Sequence, residues 1–82
     1  MQTFFQEVEK RVVEIWALEL GCPVAATDDF FKLGGDSIMV LRIMHQMKEA
    51  FGREFEPTLL FQNSVAGDFS RVVAEIMQGK SP

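Results

Sequence analysis

Apolar residues return with the period of an α-helix in the first quarter of the chain. At about 100° per residue, Phe5, Val8, Val12, Ile15 and Trp16 fall on one stripe, and Glu7, Lys10, Arg11 and Glu14 fall opposite. The pattern predicts a helix over about residues 3–20, with Thr3 placed as its N-cap and Glu7 near the positive end of its dipole. Gly21 and Pro23 end it, because glycine accepts a left-handed turn and proline lacks the N–H that the next turn needs. A second stripe, Val40, Met44, Met47 and Phe51 with Leu41 and Ile43 on its flanks, predicts a helix over about residues 37–51 closed by Gly52. Pro57 suits the first position of a short helical turn over about 57–62, turning Leu59, Leu60 and Phe61 inward. Ser64 reads as the N-cap of a last helix over about 64–77, with Asp68 in its early part. Its stripe is Val65, Phe69, Val72, Val73 and Ile76, and residues 79–82 read as a frayed tail. Trp16 and the phenylalanines are expected in the core.

Between the first two helices, Gly21 to Asp36 shows neither helical nor strand period. Loops longer than about 12–15 residues are uncommon in compact domains, and those that occur often carry function. Phe30, Phe31 and Leu33 are apolar enough to pin this loop onto a helical core, so it is expected to be ordered. Ile38 lies off the second helix's stripe, in line with Arg42, His45 and Glu49, and Met39 is displaced from its centre. Two apolar residues at the exposed start of a helix need a reason other than the core.

Eighty-two residues suffice for one domain, 1–82, and leave little room for an enclosed active-site pocket. With 48% hydrophobic and 24% charged residues the chain is globular in composition, which excludes a disordered tail or a low-complexity linker. A net charge of −4 argues against a surface that neutralises nucleic-acid phosphates, and Arg42, Lys48 and Arg53 are too few for a basic patch. Cys22 is the only cysteine, so no internal disulfide forms, and a zinc site would have to lean on His45 and carboxylates. No metal is expected. Asp28 and Asp29 lack the alternating oxygen ligands and final glutamate of a calcium loop and are read as caps of local turns. No apolar run approaches the roughly 20 residues that span a bilayer, and Met1 to Phe5 lack the features of a signal peptide. A cytoplasmic monomer that touches neither membrane nor nucleic acid is the expectation.

Gly34-Gly35-Asp36-Ser37 stands at the loop-to-helix junction. Adjacent glycines let the backbone turn sharply and leave space for a bulky approach. The unsatisfied N–H groups and dipole of the helix start favour negative charge. A serine there suits a phosphate ester. Either Ser37 or Asp36 also suits the N-cap. A serine hydrolase fits poorly: Gly35-x-Ser37-x-Met39 lacks the second glycine of a nucleophile elbow and no strand precedes it. The lone His45 is two turns beyond Ser37 and cannot easily reach its hydroxyl.

The run Asp28-Asp29-Phe30-Phe31-x-Leu33-Gly34-Gly35-Asp36-Ser37-Ile38 resembles the phosphopantetheine attachment signature of carrier proteins. It is most similar to the peptidyl (thiolation) and aryl carrier domains of nonribosomal peptide synthetases, and more loosely to polyketide and fatty-acid acyl carriers. The resemblance spans nearly the whole chain, including Ala50-Phe51-Gly52, Leu59-Leu60-Phe61 and Ser64-Val65. It implies an all-α, four-helix acyl-carrier-like bundle: three long helices and one short, right-handed, with the long loop joining the first two. It implies 4'-phosphopantetheine esterified to Ser37 from coenzyme A, with Leu33, Gly34, Gly35 and Asp36 as the flanking motif. A biosynthetic intermediate would be held as a thioester, and the chain itself would catalyse nothing. A phosphopantetheinyl transferase would act on it first. Adenylation, condensation, epimerisation, thioesterase or other tailoring enzymes would follow, and Ile38, Met39, Arg42 and His45 would face them. An acyl carrier of polyketide or fatty-acid type is the alternative, as is a cofactor-free helical interaction module, which leaves the long loop and the Gly-Gly-Asp-Ser junction unexplained.

Overall fold

Thr3 starts the first helix through a reciprocal cap: its hydroxyl accepts the Gln6 N–H at 3.1 Å, and its own N–H donates to Gln6 Oε1 at 3.0 Å. In the computed structural model, which describes residues 2–79, the helix α1 runs Phe4–Leu20. Gly21, at φ +72°, returns its N–H to the Ala17 carbonyl at 2.9 Å. α2 covers Ser37–Phe51 and closes in the same way on Gly52, at φ +73°. α3 is the five-residue turn Thr58–Gln62 behind Pro57, and α4 covers Ala66–Met77. The described residues contain no strand; one isolated antiparallel bridge joins Asp29 to Val65. Gly79 is the last described residue of the expected tail, and 80–82 lie outside the description, as does Met1.

The amphipathic stripes meet on one core. α1 contributes Val8, Val12, Ile15 and Trp16, α2 Val40, Ile43, Met44 and Met47, and α4 Ala66, Phe69, Val73 and Ala74. α1 packs against both α4 and α2. Ser70 is buried on the core face of α4 and satisfies its hydroxyl on the Ala66 carbonyl at 2.7 Å. Trp16 is enclosed between Phe30, edge-on at 5.2 Å, and Phe69, tilted at 5.6 Å. Its Nε1 meets no acceptor among the described residues, a cost of about 1–3 kcal/mol that the apolar burial of the indole offsets.

Several residues sit elsewhere than their periodicity suggests. Ile43, on a flank by its spacing, is fully buried, whereas Leu41, on the other flank, is 60% exposed and Phe51 is half-buried. The cause is the position of α1: its Glu19 meets Arg42 and Gln46, so α1 lies along the side of α2 that Ile43 shares and leaves Leu41 to solvent. Met39 shares that side too; it is half-buried and packs against the core instead of standing exposed. Phe31 and Phe61, both expected to turn inward, stack on each other at the surface, 5.7 Å apart and 14° from parallel. Phe30 and Leu60 are the buried members of the two neighbouring pairs, and Phe31 lies edge-on against Phe30 at 5.2 Å while it stacks on Phe61. Phe4, in the first turn of α1, is exposed as well.

Candidate functional site

The loop that leads to Ser37 is held by its own carboxylates. Asp28 Oδ2 accepts the Ala25 N–H at 2.8 Å. Asp29 Oδ1 accepts the N–H groups of Phe31 and Lys32 at 2.9 and 3.2 Å, and its Oδ2 accepts the Ser64 hydroxyl at 2.7 Å. That hydroxyl, with the two backbone N–H groups and the nearby Lys32 ammonium, holds the Asp29 carboxyl below its ordinary pKa against a smaller opposing effect of burial. Backbone pairs run beside it, from the Phe30 N–H to the Ser64 carbonyl at 2.7 Å and from the Ala66 N–H to the Asp28 carbonyl at 3.0 Å. The long connection is thereby fastened to the start of α4.

Ser64, which by its place in the sequence should cap α4, does not: Val65 is the N-cap residue, and no side chain caps that helix. The serine hydroxyl is drawn away because a carboxylate acceptor makes the stronger, charge-assisted bond.

Phe30 is the anchor of the loop, fully buried against Trp16. The two glycines that follow serve different ends. Gly34 has φ +97°, a left-handed conformation that side chains rarely adopt, with open space around it. Gly35 has an ordinary φ but lies flat on the Phe30 ring, which a methyl group at that position would overlap. One glycine makes the turn and the other permits close packing, so the chain emerges at a defined place above the core.

There Asp36 takes an extended conformation, φ −136° and ψ 178°, and accepts the Met39 N–H on Oδ1 at 2.9 Å. Sequence reasoning leaves the cap to either Asp36 or Ser37. In the structure Asp36 takes it, and Ser37 becomes the first helical residue, exposed, with no hydrogen bond from its hydroxyl among the described residues. His45, the base that sequence reasoning considered for this hydroxyl, is not beside it. It stands eight residues on, about 12 Å along the helix axis, with its Nε2 3.7 Å from Glu49 Oε1 and both side chains in solvent.

Around Ser37 the surface is apolar. Ile38 is 63% exposed, and Leu41 lies one turn on. With Glu19, Arg42, His45 and Gln46 they line a shallow groove of about 430 Å³. Arg42 is 3.3 Å from Glu19 Oε1, and Gln46 donates to Glu19 Oε2 at 2.8 Å. Arg42 is thus an exposed cation tied to α1. Of the residues expected to face partners, Ile38, Arg42 and His45 share this face, and Met39 stands apart in the packing beneath it. Leu41 escapes sequence reasoning as a surface residue, because its place beside the core stripe makes it read as a flank of the core.

Among the described residues no cluster of three His, Cys, Asp or Glu side chains is placed to hold a metal, and no helix is long and apolar enough to cross a membrane. What remains is a serine on a fixed platform at the positive end of a helix, preceded by the capping Asp36 and by two residues without side chains. These residues fit a phosphodiester: Gly34 and Gly35 offer no bulk against it, and the α2 dipole favours its negative charge.

Comparison with known proteins agrees. A family profile described as a phosphopantetheine attachment site matches residues 10–73. One linear gramicidin synthase of Brevibacillus parabrevis is 37% identical over 73 residues, 88% of this chain and 1% of that protein. The chain thus spans a very small part of the synthetases that it matches. Among solved structures, a nonribosomal PCP domain superposes with a TM-score of 0.73 at 37% identity, covering 80% of this chain and 86% of that one. BlmI, a type-II acyl carrier protein from Streptomyces verticillus involved in bleomycin biosynthesis, superposes with a TM-score of 0.85 at 26% identity, covering 89% of each chain. The four-helix bundle, the loop-to-helix junction that it presents and these matches together make this chain a member of the phosphopantetheine-attachment family, a carrier domain of the nonribosomal peptide synthetase kind.

Proposed function

We propose that Ser37 is the residue to which 4'-phosphopantetheine is joined. The observation that carries this reading is the division of labour at the head of α2. Asp36 caps the helix, so the Ser37 hydroxyl stands exposed and unengaged at its first position. In the reaction the Ser37 Oγ–phosphorus bond forms as the pyrophosphate P–O bond of coenzyme A breaks. Adenosine 3',5'-bisphosphate departs, and the serine proton passes to a base on the transferase. When bound, the arm supplies a terminal thiol that holds an aminoacyl or peptidyl group as a thioester. This chain's contribution is to present the attachment point, to keep it clear of its own side chains and to offer the Ile38–Leu41 face to enzymes that visit the arm. On this reading it performs no bond change of its own: the adjacent Asp36 carboxylate is used as the helix cap, and His45 stands two turns away beside Glu49.

Residues 1–82 act on this reading as one carrier unit of a peptide-assembly system, in a reducing cytoplasmic setting where a thiol arm persists. Its visitors are a phosphopantetheinyl transferase and then adenylation, condensation, epimerisation, thioesterase or other tailoring enzymes. The test is the intact mass of the chain after incubation with coenzyme A and a broad-specificity phosphopantetheinyl transferase, beside Ser37→Ala. A gain of one phosphopantetheine that maps to Ser37 and is absent from the alanine variant is the expected result. A folded wild-type chain that gains nothing, or an alanine variant that is still modified, overturns the reading.

A further inference from the structure

Ser64 uses its hydroxyl in a way that its position does not require. Directly ahead of α4, a serine ordinarily accepts an N–H of the helix that follows. Here it donates across the fold to Asp29, and α4 begins with no side-chain cap at all. The carboxylate that it reaches also receives the Phe31 and Lys32 N–H groups, so one side chain binds the start of α4 to the loop. From that point hydrogen-bonded turns run on to the attachment point. The Leu33 N–H donates to the Asp29 carbonyl at 3.1 Å, the Gly34 N–H to the Phe31 carbonyl at 3.2 Å and the Gly35 N–H to the Phe30 carbonyl at 3.0 Å. Asp36 and Ser37 follow directly. Ser64 and Asp29 are half-buried and distant in sequence, and neither belongs to the apolar core.

We infer that the Ser64–Asp29 hydrogen bond is a positioning latch that holds the Gly34–Ser37 segment in the shape that the modifying transferase accepts. The inference rests on Ser37 being the attachment residue. With the latch broken, the helical core, the buried Phe30 ring and the backbone pairs of Phe30 with Ser64 and of Ala66 with Asp28 remain, but the turns beyond Phe30 sample released conformers that the transferase does not bind. Apparent affinity then falls with the fraction of competent conformer, while turnover of the bound complex is unchanged. For a half-buried pair, the expected rise in KM for the carrier is about five- to tenfold at unchanged kcat, the scale of one net hydrogen bond.

The 82-residue chain is assayed for phosphopantetheine transfer from coenzyme A as wild type, Ser37→Ala, Ser64→Ala, Ser64→Thr, Asp29→Asn and Val73→Ala, with KM and kcat separated. Ser64→Ala and Asp29→Asn are expected to raise KM, Ser64→Thr to restore it by returning a hydroxyl, and Val73→Ala to lower Tm while leaving KM within about twofold. Val73 is a fully buried α4 residue away from the latch, so it separates loss of stability from loss of positioning. A wild-type KM in Ser64→Ala overturns the latch, and so does an equal rise in Val73→Ala. Modification that persists in Ser37→Ala overturns the attachment assignment instead, so the two failures are told apart.

Discussion

Gly34 and Gly35 are adjacent and alike in sequence, yet they answer to different forces. At Gly34 the demand is backbone: φ +97° with nothing nearby for a side chain to strike. At Gly35 the demand is volume, because the Phe30 ring occupies the place of a β-carbon. Gly34→Ala is expected to cost about 1–2 kcal/mol through left-handed strain. Gly35→Ala is expected to cost about 1–3 kcal/mol through overpacking, and it displaces the ring that anchors the loop. Urea unfolding measures both losses. Only Gly35→Ala should also change the near-ultraviolet signal of Trp16, whose indole lies edge-on to Phe30. Equal tryptophan signals in the two variants would contradict this division. Nothing in the sequence distinguishes the two positions, since the difference lies in where Phe30 ends up. The role of Ser64 is hidden for the same reason: a serine before a helix reads as a cap, and its actual acceptor is 35 residues away.

At the level of elements, α1 and α2 are legible because each couples a periodic stripe to a local stop signal, and Gly21 and Gly52 both adopt the left-handed closure. Caps that use a neighbour three residues away are equally local, as Thr3 with Gln6 and Asp36 with Met39 show. The Asp36 cap has a consequence for the proposed attachment point. Asp36→Ala removes the acceptor of the Met39 N–H and is expected to lower stability by about 1 kcal/mol, a fall in Tm of roughly 4–8 °C for a domain of this size. Hydrogen exchange should quicken in the first turn of α2, where Ser37 and Ile38 sit, and remain unchanged in α4. Uniform exchange along α2 would show that the first turn is held by packing instead. The orientation of α2 about its own axis is less legible. A stripe defines a face to within a residue or so on either side, and the packing of α1 on the Ile43 side, where Glu19 meets Arg42 and Gln46, puts Ile43 in and Leu41 out.

For the whole molecule, the distribution of charge matters more than its sum. The chain carries −4 overall, but the face beside Ser37 is apolar, with Arg42 and His45 among its lining residues and Glu19 largely engaged beneath. Docking at this face should therefore depend on Ile38 and Leu41 more than on net acidity. Ile38→Asp and Leu41→Asp, being exposed, are expected to change stability by less than about 0.5 kcal/mol, while lowering the rate of phosphopantetheine transfer at subsaturating carrier by about three- to tenfold. A fall in Tm in place of the rate would mean that these side chains belong to the core after all. Much about this protein is determined by sequence alone: the helical class, three of the capping and stop signals, and a ten-residue signature that points to one serine and one prosthetic group. These are local properties, written in spacing of at most a few residues. The tertiary structure alone decides that Phe30 is buried while Phe31 is exposed, which flank of α2 faces solvent and where the Ser64 hydroxyl goes. Each of those depends on what a distant segment brings within about 3 to 6 Å, the range over which hydrogen bonds and ring contacts act.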